Sequence, residues 1–188
     1  GSSVSVKGGA AVGVRYAAGA TPSLKIAGGM FKANALYVDR GYSTSSRNLT
    51  PAFEVSNCAT AVFDNVYTDS AGNTSSLGKS IISVSGVGSL LRVTGYCSIG
   101  LNRNGTNTLN TLDGASFEHT ATSSDWSSRI GLEIGGTENE RGGGVRTRRT
   151  VWNIDGGTGL VYAAYLNRGS EINVKNGGML KLDRSMLY

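Results

Sequence analysis

The sequence predicts an all-β fold of short stacked strands, a parallel β-helix. Three observations carry the prediction: a recurring strand phrase, its spacing, and a composition rich in bends but poor in proline. The phrase is apolar, polar, apolar, then a bend with glycine or asparagine. It occurs as Val4-Ser5-Val6, Leu24-Lys25-Ile26, Phe53-Glu54-Val55, Ile82-Ser83-Val84, Leu91-Arg92-Val93, Leu132-Glu133-Ile134, Trp152-Asn153-Ile154 and Ile172-Asn173-Val174. Alternation at period two puts both apolar side chains of a phrase on one strand face, and a following glycine admits the positive φ of a tight turn.

First residues of successive phrases fall at 4, 24, 53, 82, 91, 132, 152 and 172, giving steps of 20, 29, 29, 9, 41, 20 and 20. Steps near 20 suit one coil, larger ones a coil with an outward loop, and the step of 9 two sides of one coil. An antiparallel sandwich also alternates strands with turns, but its turns need not repeat one phrase. Gly 28 against Pro 2 supplies bends without removing ladder donors from central strands. No long run has the apolar period of a helix. Residues 1–188 read as one domain, and 39% hydrophobic residues with 7% aromatics suit a narrow core of Val, Ile, Leu and Ala. The expected core is Val4, Val6, Leu24, Ile26, Val55, Val84, Val93, Ile134, Ile154, Ile172 and Val174.

No apolar stretch of about 18 residues is present to cross a bilayer, so membrane insertion is not expected. No signal peptide is visible. Gly1-Ser2 reads as a cloning scar. The terminal run Leu180 to Tyr188 still reads as strand, and neither end shows a polar or helical cap. A fragment of a longer chain is therefore expected, or ends covered by partner chains.

Cys58 and Cys97 have no metal-ligand spacing and read as two small buried hydrophobes, with a disulfide possible if their coils are neighbours. His119 is the only histidine, and zinc has no ligand set here. No metal and no cofactor is expected. Charge is more informative: 18 basic against 13 acidic residues give +5, and Arg141, Arg146, Arg148 and Arg149 crowd around Gly142-Gly143-Gly144. Such guanidinium groups grip phosphates or carboxylates in pairs, which makes an anionic glycan a natural partner. The alternative is a solvated loop neutralised by Glu133, Glu138 and Glu140. Nucleic acid is not expected, because no stacking aromatics are interleaved with the arginines.

With these features, segments such as Leu36-Tyr37-Val38-Asp39 and Gly114-Ala115-Ser116-Phe117-Glu118 resemble the right-handed parallel β-helix of bacteriophage tailspikes and tail fibres. The similarity is one of texture over the whole chain. It implies a homotrimer of side-by-side helices in the virion tail that binds bacterial surface polysaccharide and often cleaves it. Autotransporter adhesin passengers share the texture, as in Gly169-Ser170-Glu171-Ile172-Asn173-Val174, and imply instead a bacterial cell surface location.

Cleavage by a glycoside hydrolase needs two carboxyl groups about 5 Å apart for retention or about 6.5–9.5 Å for inversion. Adjacent strands about 4.8 Å apart offer either spacing. The candidates are Glu118 beside His119, Asp125 beside Trp126, Glu133, and Asp155 before Gly156-Gly157. Trp126 is also a candidate sugar-stacking residue, whereas Trp152 lies within a strand phrase and reads as core. For a lyase, Arg148 or Arg149 would hold the uronate. Acidic residues at the outward position of a strand phrase are ordinary solvated groups, so a binding segment without catalysis is the leading expectation. A polysaccharide depolymerase is the alternative.

Overall fold

The computed structural model describes residues 1–13, 21–39, 50–68, 79–100, 106–121, 132–135, 149–166 and 169–187. Among these the fold is all-β: fifteen strands, no helix, and parallel pairing between every two neighbouring strands. One sheet, here sheet A, holds β1 (Ser3–Val12), β3 (Met30–Val38), β5 (Thr60–Thr68), β7 (Leu90–Val93), β8 (Cys97–Ile99), β10 (Ser116–His119), β11 (Leu132–Ile134), β13 (Thr158–Leu166) and β15 (Met179–Leu187). Sheet B is ordered β14 (Ser170–Lys175), β12 (Arg149–Asp155), β9 (Thr106–Leu112), β6 (Lys79–Ser85), β4 (Ala52–Ser56) and β2 (Ser23–Ala27).

The phrase spacing has a direct counterpart in sheet B. Leu24 lies beside Phe53, Phe53 beside Ile82 and Trp152 beside Ile172, so the steps of 29, 29 and 20 are register offsets between adjacent parallel strands. The step of 9 connects β6 in sheet B with β7 in sheet A. The phrases at 4, 91 and 132 belong to sheet A, so the steps of 20 from 4 and from 132 measure passage between sheets, while the step of 41 joins two sheet A strands, β7 and β11, that are not neighbours. Within sheet B one strand escapes the phrase altogether. β9 buries Asn107, Leu109 and Thr111, a face too polar to stand out.

Each sheet B strand ends in a bend with at least one left-handed residue. Left-handed φ values occur at Gly28 and Gly29, Asn57 and Cys58, Gly86 and Gly88, Asp113 and Gly114, Gly156, and Asn176 and Gly177. Asn and Asp tolerate this region better than other residues with a side chain. Cys58 occupies a place that glycine fills in four other turns. It is consequently exposed, which corrects the expectation that both cysteines are buried; Cys97 is buried, and both thiols are free.

The buried faces of the two sheets share one core. Phe53 of sheet B meets Phe63 of sheet A edge to face at 5.5 Å, and Phe117 of sheet A meets Trp152 of sheet B at 5.3 Å. Trp152 is fully buried, as its place in a strand phrase predicts, and its Nε1 donates to Thr111 Oγ1 at 3.1 Å. Val55, Val84, Val93, Ile134 and Ile154 are core residues, with Leu24, Ile26 and Ile172 packed against them. Val4, Val6 and Val174 are not: they are 56%, 36% and 46% exposed. Their register continues the apolar columns, Val4 beside Phe31, Val6 beside Ala33 and Val174 beside Ile154. They lie on β1 and β14, the terminal strands of their sheets, and so have a stacked neighbour on one side alone.

Polar residues also enter the buried face. Ser80 Oγ donates to Val38 O, Ser170 Oγ to Ile134 O at 2.6 Å, and the Gly100 N–H to Thr68 Oγ1 at 2.6 Å. These bonds satisfy main-chain groups where sheet A strands end and sheet B begins.

Several glycines are demanded by close approach, Gly95 and Gly159 among them. A β-carbon at Gly95 would lie 2.5 Å from Asp64 O, and one at Gly159 would lie 2.6 Å from Cζ2 of Trp152. Gly159 thus makes room for the indole. Gly159→Ala should cost about 1–3 kcal/mol by overpacking, while Trp152→Leu in the same chain should return part of that loss. Urea unfolding of both single variants and the double variant checks this through the sign of the coupling energy.

Candidate functional site

Of the residues singled out from sequence, Asp125, Trp126, Arg141, Arg146 and Arg148 lie outside the described residues. Glu133 has its backbone in β11, beside Ser98 and Tyr165, with its side chain outside the described part. Glu118, Asp155 and Arg149 are described. Glu118 lies on the outer face of sheet A, where its Oε2 accepts from Arg92 Nε at 2.8 Å and Nη2 at 2.7 Å. Asp155 ends β12, and its Oδ1 accepts from Asn176 Nδ2 at 2.6 Å. The two carboxylates therefore stand on different sheets, with the turn at Gly156–Gly157 between them. Asp155 and Arg149 share the outer face of β12.

His119 does not accompany Glu118. Successive strand residues point to opposite faces, and His119 is turned into the core, 2% exposed, in register with Val93 and Val161. Its Nε2 lies 2.7 Å from Gly95 O, while Nδ1 has no partner among the described residues. Burial pulls its pKa below the ordinary histidine value, with the Gly95 contact opposing.

The outer face of sheet B holds the most ordered array of polar side chains. In-register pairing places Lys25, Glu54, Ser83, Asn110, Asn153 and Asn173 in one column across six strands. They bond along it. Asn173 Nδ2 donates to Asn153 Oδ1 at 3.1 Å, Asn153 Nδ2 to Asn110 Oδ1 at 3.0 Å, and Asn110 Nδ2 to Ser83 Oγ at 3.1 Å. At the far end Lys25 Nζ is 3.5 Å from Glu54 Oε2. Beside the column, Arg149 Nη2 donates to Glu171 Oε2 at 3.2 Å. Hydrogen bonds from Asn173 and then Arg149 hold the Glu171 carboxyl below the usual range.

Sequence reading missed this column as a site. Its signal was present, since Lys25, Glu54, Ser83, Asn153 and Asn173 are the middle residues of their phrases; stacking the phrases reveals it. Asn110 had no such signal because Leu109-Asn110-Thr111 does not read as the phrase. On sheet A, Tyr37 and Tyr67 stack ring on ring at 5.2 Å and 10°. Their faces are turned to one another, a poor arrangement for stacking on a sugar.

Among the described residues no group of three or more His, Cys, Asp and Glu could hold a metal ion. Among the described residues no helix is long and apolar enough to cross a membrane. No protein-family model, curated protein or solved structure matches this chain.

The buried imidazole makes stability depend on pH with a definite sign. A lowered folded-state pKa means that the unfolded chain binds the proton more readily, so stability is full above the ordinary value of about 6.5 and falls as pH drops below it. Thermal melts across this range should show that decline attenuated in His119→Gln, measured against each protein's own melting temperature near neutral pH. An unaltered pH profile in the variant would remove His119 as the cause.

Proposed function

We propose that this chain is a rod-forming segment of a bacteriophage tailspike or tail fibre that binds bacterial surface polysaccharide. In this reading the two parallel sheets are walls of a right-handed parallel β-helix. Its support is the chain's repeated passage between sheets A and B, with each strand laid parallel to one from an earlier passage. The observation that carries the binding function is the hydrogen-bonded polar column on the outer face of sheet B. Side-chain amides linked across neighbouring strands are held in place before any ligand arrives, so little rotamer entropy remains to be lost on binding.

A non-catalytic role fits the described carboxylates better than hydrolysis does. Glu118 is engaged by Arg92 and Asp155 by Asn176, on different sheets, and neither forms a pair with the other. Association into a homotrimer is part of the proposal. Its support is the outer face of sheet A, where Val62, Leu90 and Leu160 are half-buried and Met30 and Met179 are exposed at positions that alternate with core residues.

The test is retention of purified bacterial capsular polysaccharides and lipopolysaccharide O-chains, immobilised as a panel, together with a reducing-end assay on the same glycans. Binding without new reducing ends is expected. Release of oligosaccharides would overturn the non-catalytic reading, and failure to retain any glycan would overturn the binding function. Light scattering should give three times the mass of one chain; a stable monomer of the protein would count against the trimer.

A further inference from the structure

Resting on the reading that the outer face of sheet B binds polysaccharide, we infer that this face recognises an uncharged, hydroxyl-rich stretch of glycan laid across the strands along Ser83, Asn110, Asn153 and Asn173. The inference follows from what the column leaves unused. A side-chain amide offers two N–H donors and an oxygen with two lone pairs. Asn110 donates once to Ser83 and accepts once from Asn153; Asn153 donates once to Asn110 and accepts once from Asn173. Each thus retains one donor and one acceptor, on residues that are half-buried on the outer face.

A donor and an acceptor side by side match a hydroxyl, which both gives and takes a hydrogen bond. An ionised carboxylate or phosphate oxygen can only accept, and would set its charge against the amide oxygen. The set stands on two adjacent strands, β9 and β12, about 4.8 Å apart, so two successive hydroxyls of one polymer can be met in turn. The adjacent column supplies the apolar half of such a site: Val151, Thr108, Ile81 and Ala52 stand in register beside the amides and are half-buried. Sugar C–H groups can lie there. Opposite charges stand together on this face, Lys25 with Glu54, Arg149 with Glu171, and Lys175 in register with Asp155, which limits the pull of this face on an anion. The ligand class differs from the anionic glycan to which the arginine-rich segment points.

The experiment compares the wild-type chain with Asn110→Ala, Asn153→Ala and the double variant, using dextran and galactomannan as uncharged probes and polygalacturonate as the anionic one, at low and high salt. Binding to an uncharged probe that is insensitive to salt is expected, and the double variant should lose about tenfold in affinity, equivalent to roughly 1.4 kcal/mol. Hydrogen exchange on the wild-type complex should show new protection in β9 and β12, a readout that stands even if a variant folds poorly. Retention of polygalacturonate alone, weakening with salt, would overturn the inference and leave polysaccharide binding intact. Protection confined to other strands, or folded variants that bind as the wild type does, would also overturn it. Failure to bind any of the three, with binding to the bacterial panel retained, would overturn the inference alone, whereas failure on both sets would remove the function on which it rests.

Discussion

Parallel pairing in register is the constraint on which the rest of this structure depends. It places each residue directly beside its counterpart on the next strand, so side chains form columns and each column must be compatible along its length. In sheet B one buried column runs Leu24, Phe53, Ile82, Leu109, Trp152 and Ile172. One position along, on the outer face, the same register gathers Ser, Asn, Lys and Glu. A shift of one residue would exchange the two faces and bury that polar set, which is why register is so strongly specified here.

The columns tolerate irregular members because the opposite sheet adapts. Trp152 is far larger than the residues above and below it, and the volume is recovered at Gly159, across the core, where any side chain would meet the indole. Thr111, polar in an otherwise aliphatic column, accepts the indole N–H. Each exception answers another, as close packing requires. His119 is less fully compensated: it satisfies Nε2 with Gly95 O, while its second nitrogen remains without a partner among the described residues.

The same register builds the candidate site. No single strand carries it; one residue from each strand enters the column, and adjacency alone turns four unremarkable polar residues into a linked array. The two described candidate carboxylates are separated by that logic. Glu118 and Asp155 belong to strands of different sheets; Glu118 is held by Arg92 of the neighbouring strand β7, and Asp155 by Asn176 in the bend after β14.

The sequence by itself determined the all-β class and the alternation of buried and outer faces, because both follow from period-two patterning and glycine-rich bends within single segments. It also determined that Trp152 is core. It did not reveal β9, whose buried face includes Asn107 and Thr111, since polar residues are identified as core only by the strands that cover them. Nor could it show that Val4, Val6 and Val174 are exposed, because their own strands are patterned like the rest and only their terminal places in the sheets decide the matter. The turn position of Cys58 likewise depended on placement in three dimensions, whereas the opposed directions of Glu118 and His119 follow from alternation along one strand. The asparagine column was decided by tertiary structure for the same reason: Asn110, Asn153 and Asn173 are separated by 43 and 20 residues along the chain, and only parallel pairing of β9, β12 and β14 brings their amides within hydrogen-bonding distance.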